Sequence, residues 1–511
     1  MTRRGWAAVI VGAWAVSLGW LVKRTYFRST GAKLAEAALA VPPGAMFYRL
    51  AVGAQQLGYA STTIDTLRDS IRVEDVLVID VPALGKLHRS SGRSEAILDR
   101  ALRLRRVTAS YDGEGGRVDA HAAISDDSVL HVTIITGDDS QATTVKLTRP
   151  IILPSLLPLR LAFGGEMAPG KTYTTRVFDP LTLAERDVTV RVAAESTLVI
   201  ADSADYDSTM MAWTPVHFDT VRAFRIGEES GGTNTESWID AQGHIVRATT
   251  PLGFTMERTA FELAYENFRH RDTTRLALAT ATPGVGDVIA TTAISAGTRL
   301  DPEHLDQLRV RLSGVPLDAF DLSSGRQRLS GDTLVVQREG ATALQAAYRL
   351  PNLDPALKEL VRPEPLVEST DPRIQAQGRQ IAGRERDPQK VAALLVHWVH
   401  DNLKKDITIG VPSAVQVLDR RRGDCNEHTV LYVALARSLG LPARTAAGLV
   451  YLRGRFYYHA WPEVYLGDWV AVDPTFDQFP ADAAHLRFTI GGLARQMELV
   501  RLIGRLDLEV L

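Results

Sequence analysis

The chain holds a single cysteine among 511 residues, so no internal disulfide framework can exist. An excess of charge of one sign is also missing. Lys and Arg number 58 against 60 Asp and Glu, for a net charge of -2. With no long basic run either, the composition speaks against a nucleic-acid-binding body. Long uncharged apolar stretches are scarce, with the exception of Gly5 to Val22, "GWAAVIVGAWAVSLGWLV". As a helix this run is about 27 Å long, close to the thickness of a bilayer core. Trp6 and Trp20 stand near its ends, where interfacial aromatics belong. Lys23 and Arg24 follow without a small-x-small cleavage site, so residues 1–28 are expected to form an uncleaved anchor. Basic residues flank the run on both sides. The orientation therefore rests on the short leading segment and the large body after it, which is expected outside the cytoplasm, as in a single-pass periplasmic protein.

Hydrophobic content of 45% and charged content of 23% suit ordinary globular cores, and the length suggests about three domains. The expected class is α+β. Residues 41–270 read as a large antiparallel β domain: "VLHVTIIT" and "RDVTVRVAA" cluster β-branched residues, and "DGEGG" and "GDDS" punctuate them. "WIDAQGHIVRATT" reads as two strands about a turn. In strand period and turn placement this stretch resembles bacterial half-barrel domains that handle lipid or lipoproteins, a resemblance that carries no site residues. Residues 271–350 read as a small mixed β domain, and the Pro- and charge-rich 351–370 as a linker to a final domain over 371–511.

Helical periodicity begins in that last domain. Asp387 and Pro388 form an N-cap and first-turn pair. Val391, Leu394, Leu395, Trp398 and Val399 then mark one apolar face. His397 and His400 on the same helix have a spacing open to a metal, but no third ligand accompanies them, and no metal or other cofactor is expected.

The lone cysteine sits in "RRGDCNEHTVLYVALARSLGLPAR". Gly423 permits a tight turn, Asp424 caps a helix and Glu427 stands at the capping-box position. Cys425 then becomes the first helical residue. There the partial positive charge favours a thiolate, and free backbone N–H groups can face an oxyanion.

"FYYHAWPEVYLGDWVAVDPTF" reads as a β-hairpin. A two-residue loop would put His459 and Asp473 on opposite faces. A three-residue loop, Leu466 to Asp468, pairs Tyr465 with Trp469 and gathers His459, Trp461, Glu463 and Asp473 on one face, with Val464, Leu466, Val470 and Val472 on the other. Only that register separates polar from aliphatic residues, and it brings an Asp beside a His on a face expected to be exposed. A thiol, an imidazole and a carboxylate in this relation make a nucleophile, its ion-pair partner and acid, and an orienting group.

The segment "GDCNEHT…ALARSLGLPARTAAGLVY…YYHAWPEVYLGDWVAVDPTF", roughly 380–490, resembles the core of bacterial transglutaminase-like proteins. That superfamily has a papain-like fold and includes transglutaminases, peptide N-glycanases and thiol peptidases. The resemblance implies Cys425 as nucleophile, His459 as base and Asp473 as its partner. Asp482 and His485, in "FPADAAHL", look like supporting groups of one bacterial branch, alongside Asp424 and Glu427. Trp461, Trp398 and Gln478 are candidates for the substrate groove or an oxyanion contact. The expected activity is acyl transfer or amide hydrolysis on a protein or peptide. The alternatives are a silent membrane-anchored scaffold, or a lipid-handling β domain with an accessory papain-like domain.

Overall fold

The computed structural model describes residues 41–511 apart from 84–85, 138, 149, 165–166, 180–183, 231–232, 251–252, 272–288, 290–291, 409 and 412. The expected anchor therefore lies outside the described residues, and among those described no helix is long and apolar enough to cross a membrane.

Residues 41–270 form a fourteen-stranded antiparallel sheet. Its first eight strands are β1 (Gly44–Val52), β2 (Gln55–Thr66), β3 (Ser70–Ala83), β4 (Lys86–Asp99), β5 (Leu104–Gly113), β6 (Gly116–Ser125), β7 (Val129–Thr136) and β8 (Asp139–Lys146). The remainder are β9 (Thr172–Asp179), β10 (Ala184–Asp207), β11 (Ala212–Ser230), β12 (Thr233–Asp240), β13 (Ile245–Thr249) and β14 (Phe254–Thr259). Each run of neighbours is a meander, and the two are joined where β1 pairs with β14. The connection between β8 and β9 carries helix α1 (Leu157–Phe163), which lies in the hollow of the curved sheet. Leu159 packs with Ile64, Val73 and Leu130 of the first half, while Leu157 and Leu161 pack with Val190, Phe224 and Ile226 of the second. One short helix thus packs against residues of both meanders. Gly243, at φ +82°, lets the β12–β13 turn press against it, since a Cβ there would lie 2.7 Å from the Leu159 Cα.

The described residues of the stretch 271–350 share their core with the final domain. Its strands β16 (Gln307–Ser313), β17 (Gln327–Ser330) and β18 (Thr333–Gln337) form a four-stranded sheet completed by β25 (Asp507–Val510). The preceding strand β15 (Ile294–Ser295) instead joins the sheet of the final domain. Strict alternation in β16 turns Leu308, Val310 and Leu312 inward. There they share one cluster with Leu449, Phe456 and Phe488 of the final domain. The reading of 351–370 as a linker is also modified: Pro355–Val361 is a 3-10 helix, and Val367, Glu368 and Ser369 are buried.

The final domain contains helices α2 (Pro372–Ala382), α3 (Pro388–Asn402), α4 (Ala414–Arg420) and α5 (Cys425–Ser438), and a sheet built on β21 (Ala443–Leu452), β22 (Arg455–Tyr465), β23 (Trp469–Ala471) and β24 (His485–Ile490). A two-strand bridge, β19 (Lys404–Lys405) with β20 (Arg422–Gly423), brackets α4. Asp387 caps α3 through the N–H groups of Gln389 and Lys390. The buried face of α3 uses Ala392 and Val396 beside Val391, Leu395 and Val399, whereas Leu394 is 41% exposed. Helix α5 is central, with Leu431 through Ala436 buried in sequence.

Candidate functional site

Helix α5 begins at Cys425 because the residues before it supply a complete cap. Asp424 Oδ1 accepts from the Asn426 N–H at 2.8 Å, and the Asp424 N–H donates to Glu427 Oε2 at 2.9 Å. Gly423 is required next to this cap, since a Cβ there would fall 2.2 Å from the Glu427 Cβ. The cysteine is half-buried and packs against the cluster containing Ala460. The Ala460 N–H, one residue after His459 on β22, points at its sulfur. Burial pushes the thiol well above its ordinary value, and the Asp424 charge adds to that, while the Ala460 N–H acts in the opposite direction. Asp424 is itself raised, by burial and by the neighbouring Glu427 carboxylate. A protonated Asp424 withdraws its penalty on the thiolate.

The hairpin after α5 adopts the three-residue loop, with Tyr465 opposite Trp469 and Glu463 opposite Ala471. His459 Nε2 donates to Asp473 Oδ2 at 2.7 Å, which leaves Nδ1 as the open nitrogen of the ring. Asp473 Oδ1 accepts from the Thr475 N–H at 2.7 Å and the Phe476 N–H at 3.3 Å. The Phe476 ring stacks on the His459 imidazole, with centroids 5.1 Å apart.

A second histidine reaches the same carboxylate. His485 Nε2 lies 3.0 Å from Asp473 Oδ2, and its Nδ1 lies 2.9 Å from Asp482 Oδ1. Flanked by two carboxylates, the ring is protonated. Burial alone would lower its pKa, yet Asp482 and Asp473 raise it to about 9. Burial would raise Asp473, but His459 and His485 hold its carboxyl well below the usual range. Gln478 closes the ring of contacts. Its side chain donates to Asp482 Oδ2 at 2.8 Å, and its backbone makes two hydrogen bonds with that of Asp473. With its amide engaged in this way, Gln478 orients Asp482.

The ligand atoms of His459, Asp473 and His485 lie within 4.8 Å of one another, a spacing at which a metal ion could be held. All three atoms are already joined by hydrogen bonds, and Asp473 and His485 are sealed from solvent. The donor set is thus organised around protons. His397 and His400 do not converge either: His397 Nδ1 pairs with Asp477, and His400 Nδ1 with the Pro474 carbonyl at 3.2 Å.

Several side chains differ from expectation. The face bearing His459, Trp461 and Glu463 is not exposed. Trp461 is 1% and Glu463 2% exposed, and around them a layer from Arg326, Gln327 and Glu339 bonds to the backbone of Ala471, Ala481, Asp482 and Arg487. Trp461 therefore walls no groove. It packs with Ala446, Ala471 and Ala481 and meets the His485 ring edge-to-face at 5.2 Å. Trp398 packs on the helical core beneath the Arg421 guanidinium, 4.5 Å from the ring centre.

The surrounding layer holds charges that local pattern did not assign. Glu463 is chelated by Arg487 at 2.8 Å and by Arg444 at 2.6 Å, and Arg487 also binds the Ser324 and Asp321 carbonyls. Arg326 stands 3.4 Å from Glu339 and donates to the Ala481 and Asp482 carbonyls. The available signal was a charged residue inside otherwise apolar strands, "WPEVYL" and "HLRFTI". His428 was also missed. It is fully buried one turn into α5, its Nδ1 lies 2.6 Å from the Asp424 carbonyl, and its Nε2 has no protein partner.

The large sheet also reaches the cap of α5. The β5–β6 turn sits against the loop preceding α4, with a Cβ on Gly115 falling 3.5 Å from the Gly410 Cα and 3.8 Å from Glu427 Oε1. Arg420 donates to the Glu114 carbonyl at 2.9 Å, and Gln416 to the Arg117 carbonyl at 3.0 Å. From the same loop Thr408 donates to Glu427 Oε1 at 2.6 Å. Nearby, the buried Glu368 accepts from Thr136 of β7 and from Ser413.

Residues 375–474 match the family model of the transglutaminase-like superfamily. An uncharacterised protein of Mycobacterium leprae is 27% identical over 186 residues, 32% of this chain and 64% of its own length. An uncharacterised protein of Haemophilus influenzae is 32% identical over 75 residues, 14% of this chain and 20% of its own. The chain thus spans less than two thirds of either relative. A solved structure of a candidate cysteine protease from Cytophaga hutchinsonii aligns with a TM-score of 0.29 and 16% identity, over 40% of this chain and 83% of that one. The segment carrying Cys425, His459 and Asp473 is therefore a transglutaminase-like domain.

Proposed function

We propose that the final domain is a thiol acyl-transfer centre acting on protein or peptide amides, with Cys425 as nucleophile, His459 as base and acid, and Asp473 as the group that orients the imidazole. One observation carries the reading. His459 spends Nε2 on Asp473 at 2.7 Å, and the next residue along β22 aims its N–H at the Cys425 sulfur. Of the two ring nitrogens, Nδ1 is the one left to receive the thiol proton.

Because burial raises the Cys425 group, its resting form is the thiol. The thiol proton passes to His459 Nδ1 as sulfur attacks the carbonyl carbon. The C–N bond then breaks, the proton passes to the leaving amine, and a thioester remains on Cys425. Water or a second amine, deprotonated by His459, attacks the thioester and restores the thiol. The Cys425 N–H at the head of α5 and that of Ala460 are the donors available to the oxyanion, since Asp424 takes the N–H groups that follow. The Gly5–Val22 run would tether this centre to a membrane, with the body outside the cytoplasm.

The test uses p-nitrophenyl acetate and mass spectrometry of the purified full chain. An acetyl adduct at Cys425 is expected, absent in Cys425→Ala and at least about a hundredfold slower to form in His459→Ala. An adduct forming equally fast without His459, or only at other residues, would overturn the proposal.

A further inference from the structure

The concave side of the large sheet contains a cavity of about 490 Å3, remote in sequence from the thiol centre. Ile64, Val73, Leu77, Leu159 and Met256 line it, and its volume is in the range of small-molecule sites, about 300–1,000 Å3. Helix α1 does not extend over this part of the hollow, which is why it remains open beside Pro158 and Leu159.

Among these lining residues Asp75 is the acidic one. Asp75 of β3 points inward from the middle of the strand, opposite Thr62 on β2 and Ser94 on β4. Thr62 Oγ1 donates to Asp75 Oδ1 at 2.7 Å, and Oδ2 has no protein partner among the described residues. Burial pushes its carboxyl above the ordinary value. The neighbouring cations are all committed elsewhere. Arg93, itself on the lining, pairs with Glu74, Arg72 with Glu95, and Arg258 and the lining His244 both with Asp240. A carboxylate set into apolar walls without a counter-charge is costly, and an aliphatic residue there would stabilise the sheet. Such a group is placed to recognise something.

We propose that this cavity binds an amphiphilic cation: an aliphatic or aromatic body seated against Ile64, Val73 and Met256, ending in an ammonium group held by Asp75 and Thr62. The ammonium supplies the counter-charge the protein withholds, and the apolar body occupies the remaining volume. Leu77, 43% exposed, stands at the entrance.

The proposal is tested by the thermal unfolding midpoint of the purified full chain, titrated with octylamine, octan-1-ol and octanoate. Octylamine is expected to raise the midpoint in a saturable way and octanoate to leave it unchanged. Asp75→Asn should weaken apparent octylamine affinity about tenfold or more while leaving octan-1-ol unaffected. Leu77→Arg, a change at an exposed position, should weaken both without lowering the ligand-free midpoint. No stabilisation by octylamine would overturn the assignment, as would equal stabilisation of the Asp75→Asn protein. Acetylation of Cys425 is read separately, so a failure here leaves the thiol centre untouched.

Discussion

His485 and His459 share a single oxygen of Asp473, at 3.0 and 2.7 Å. The two rings have different jobs by position. His459 has one nitrogen without a partner among the described residues, whereas both nitrogens of His485 face carboxylates, so His485 carries a positive charge behind Asp473 until the pH rises through about 9. A carboxylate already neutralised from behind is a weaker attractor for the His459 proton than an isolated one, and the imidazole stays available to pass it on.

The charge on His485 makes stability depend on pH. Its pKa is raised from 6.5 to about 9, so its contribution is fully present below about pH 6.5 and is lost as pH rises through about 9. The loss should approach about 3 kcal/mol at most, visible as a falling urea midpoint. In His485→Gln the alkaline fall should flatten. An unchanged slope would show that the ring is neutral in the fold.

Asp424 has opposite effects on the helix and on the thiol. Replacing it with Ala removes the hydrogen bond to the Asn426 N–H and should cost about 1 kcal/mol of stability. The same change removes a negative charge beside the sulfur, so the pH at which Cys425 is half-alkylated by iodoacetamide should move down. Loss of stability with no movement of that profile would confine Asp424 to capping.

Glu463 is buried between two arginines, and Glu463→Ala leaves both without it. The expected cost is about 3–5 kcal/mol, measured by chemical unfolding. Glu257→Ala, which breaks the exposed pair with Arg247, should cost less than about 1 kcal/mol.

The contact between the β5–β6 turn and α4 can be broken from either side. Gly116 sits at φ +119°, and a Cβ there would approach Gln416 Oε1 to 2.6 Å. Gly116→Val should therefore destabilise by about 1–3 kcal/mol and alter the rate of Cys425 alkylation through Thr408 and Glu427. Arg420→Ala should do the same more mildly. If alkylation is unchanged in both, the sheet is mechanically separate from the cap.

What could be read before the structure was what short range determines. The Asp424–Glu427 box lies within one turn of helix, and the Leu466–Asp468 loop follows from segregating polar and aliphatic residues in one hairpin. The alternation of the large sheet is equally local. The layer around Trp461 and Glu463 is not: Arg326 and Gln327, which bond the Ala481 and Arg487 carbonyls, come from more than a hundred residues earlier, so no pattern in "WPEVYL" announces them. His485 stood in a suggestive motif, but its contact with Asp473 needs β24 to lie on the far side of β21 from β22, which depends on sheet order and not on periodicity. The joining of β1 to β14 is of the same kind, closing about two hundred residues at one seam.

The pairing of β25 with β16 has a consequence for the order of events during synthesis. Val310 meets Val510 across that ladder, so the inner sheet cannot be finished until residue 510 has emerged from the ribosome. Helix α5 and the hairpin of His459 are translated earlier, so the small sheet that shares a core with the hairpin gains its last ladder only after both have been made.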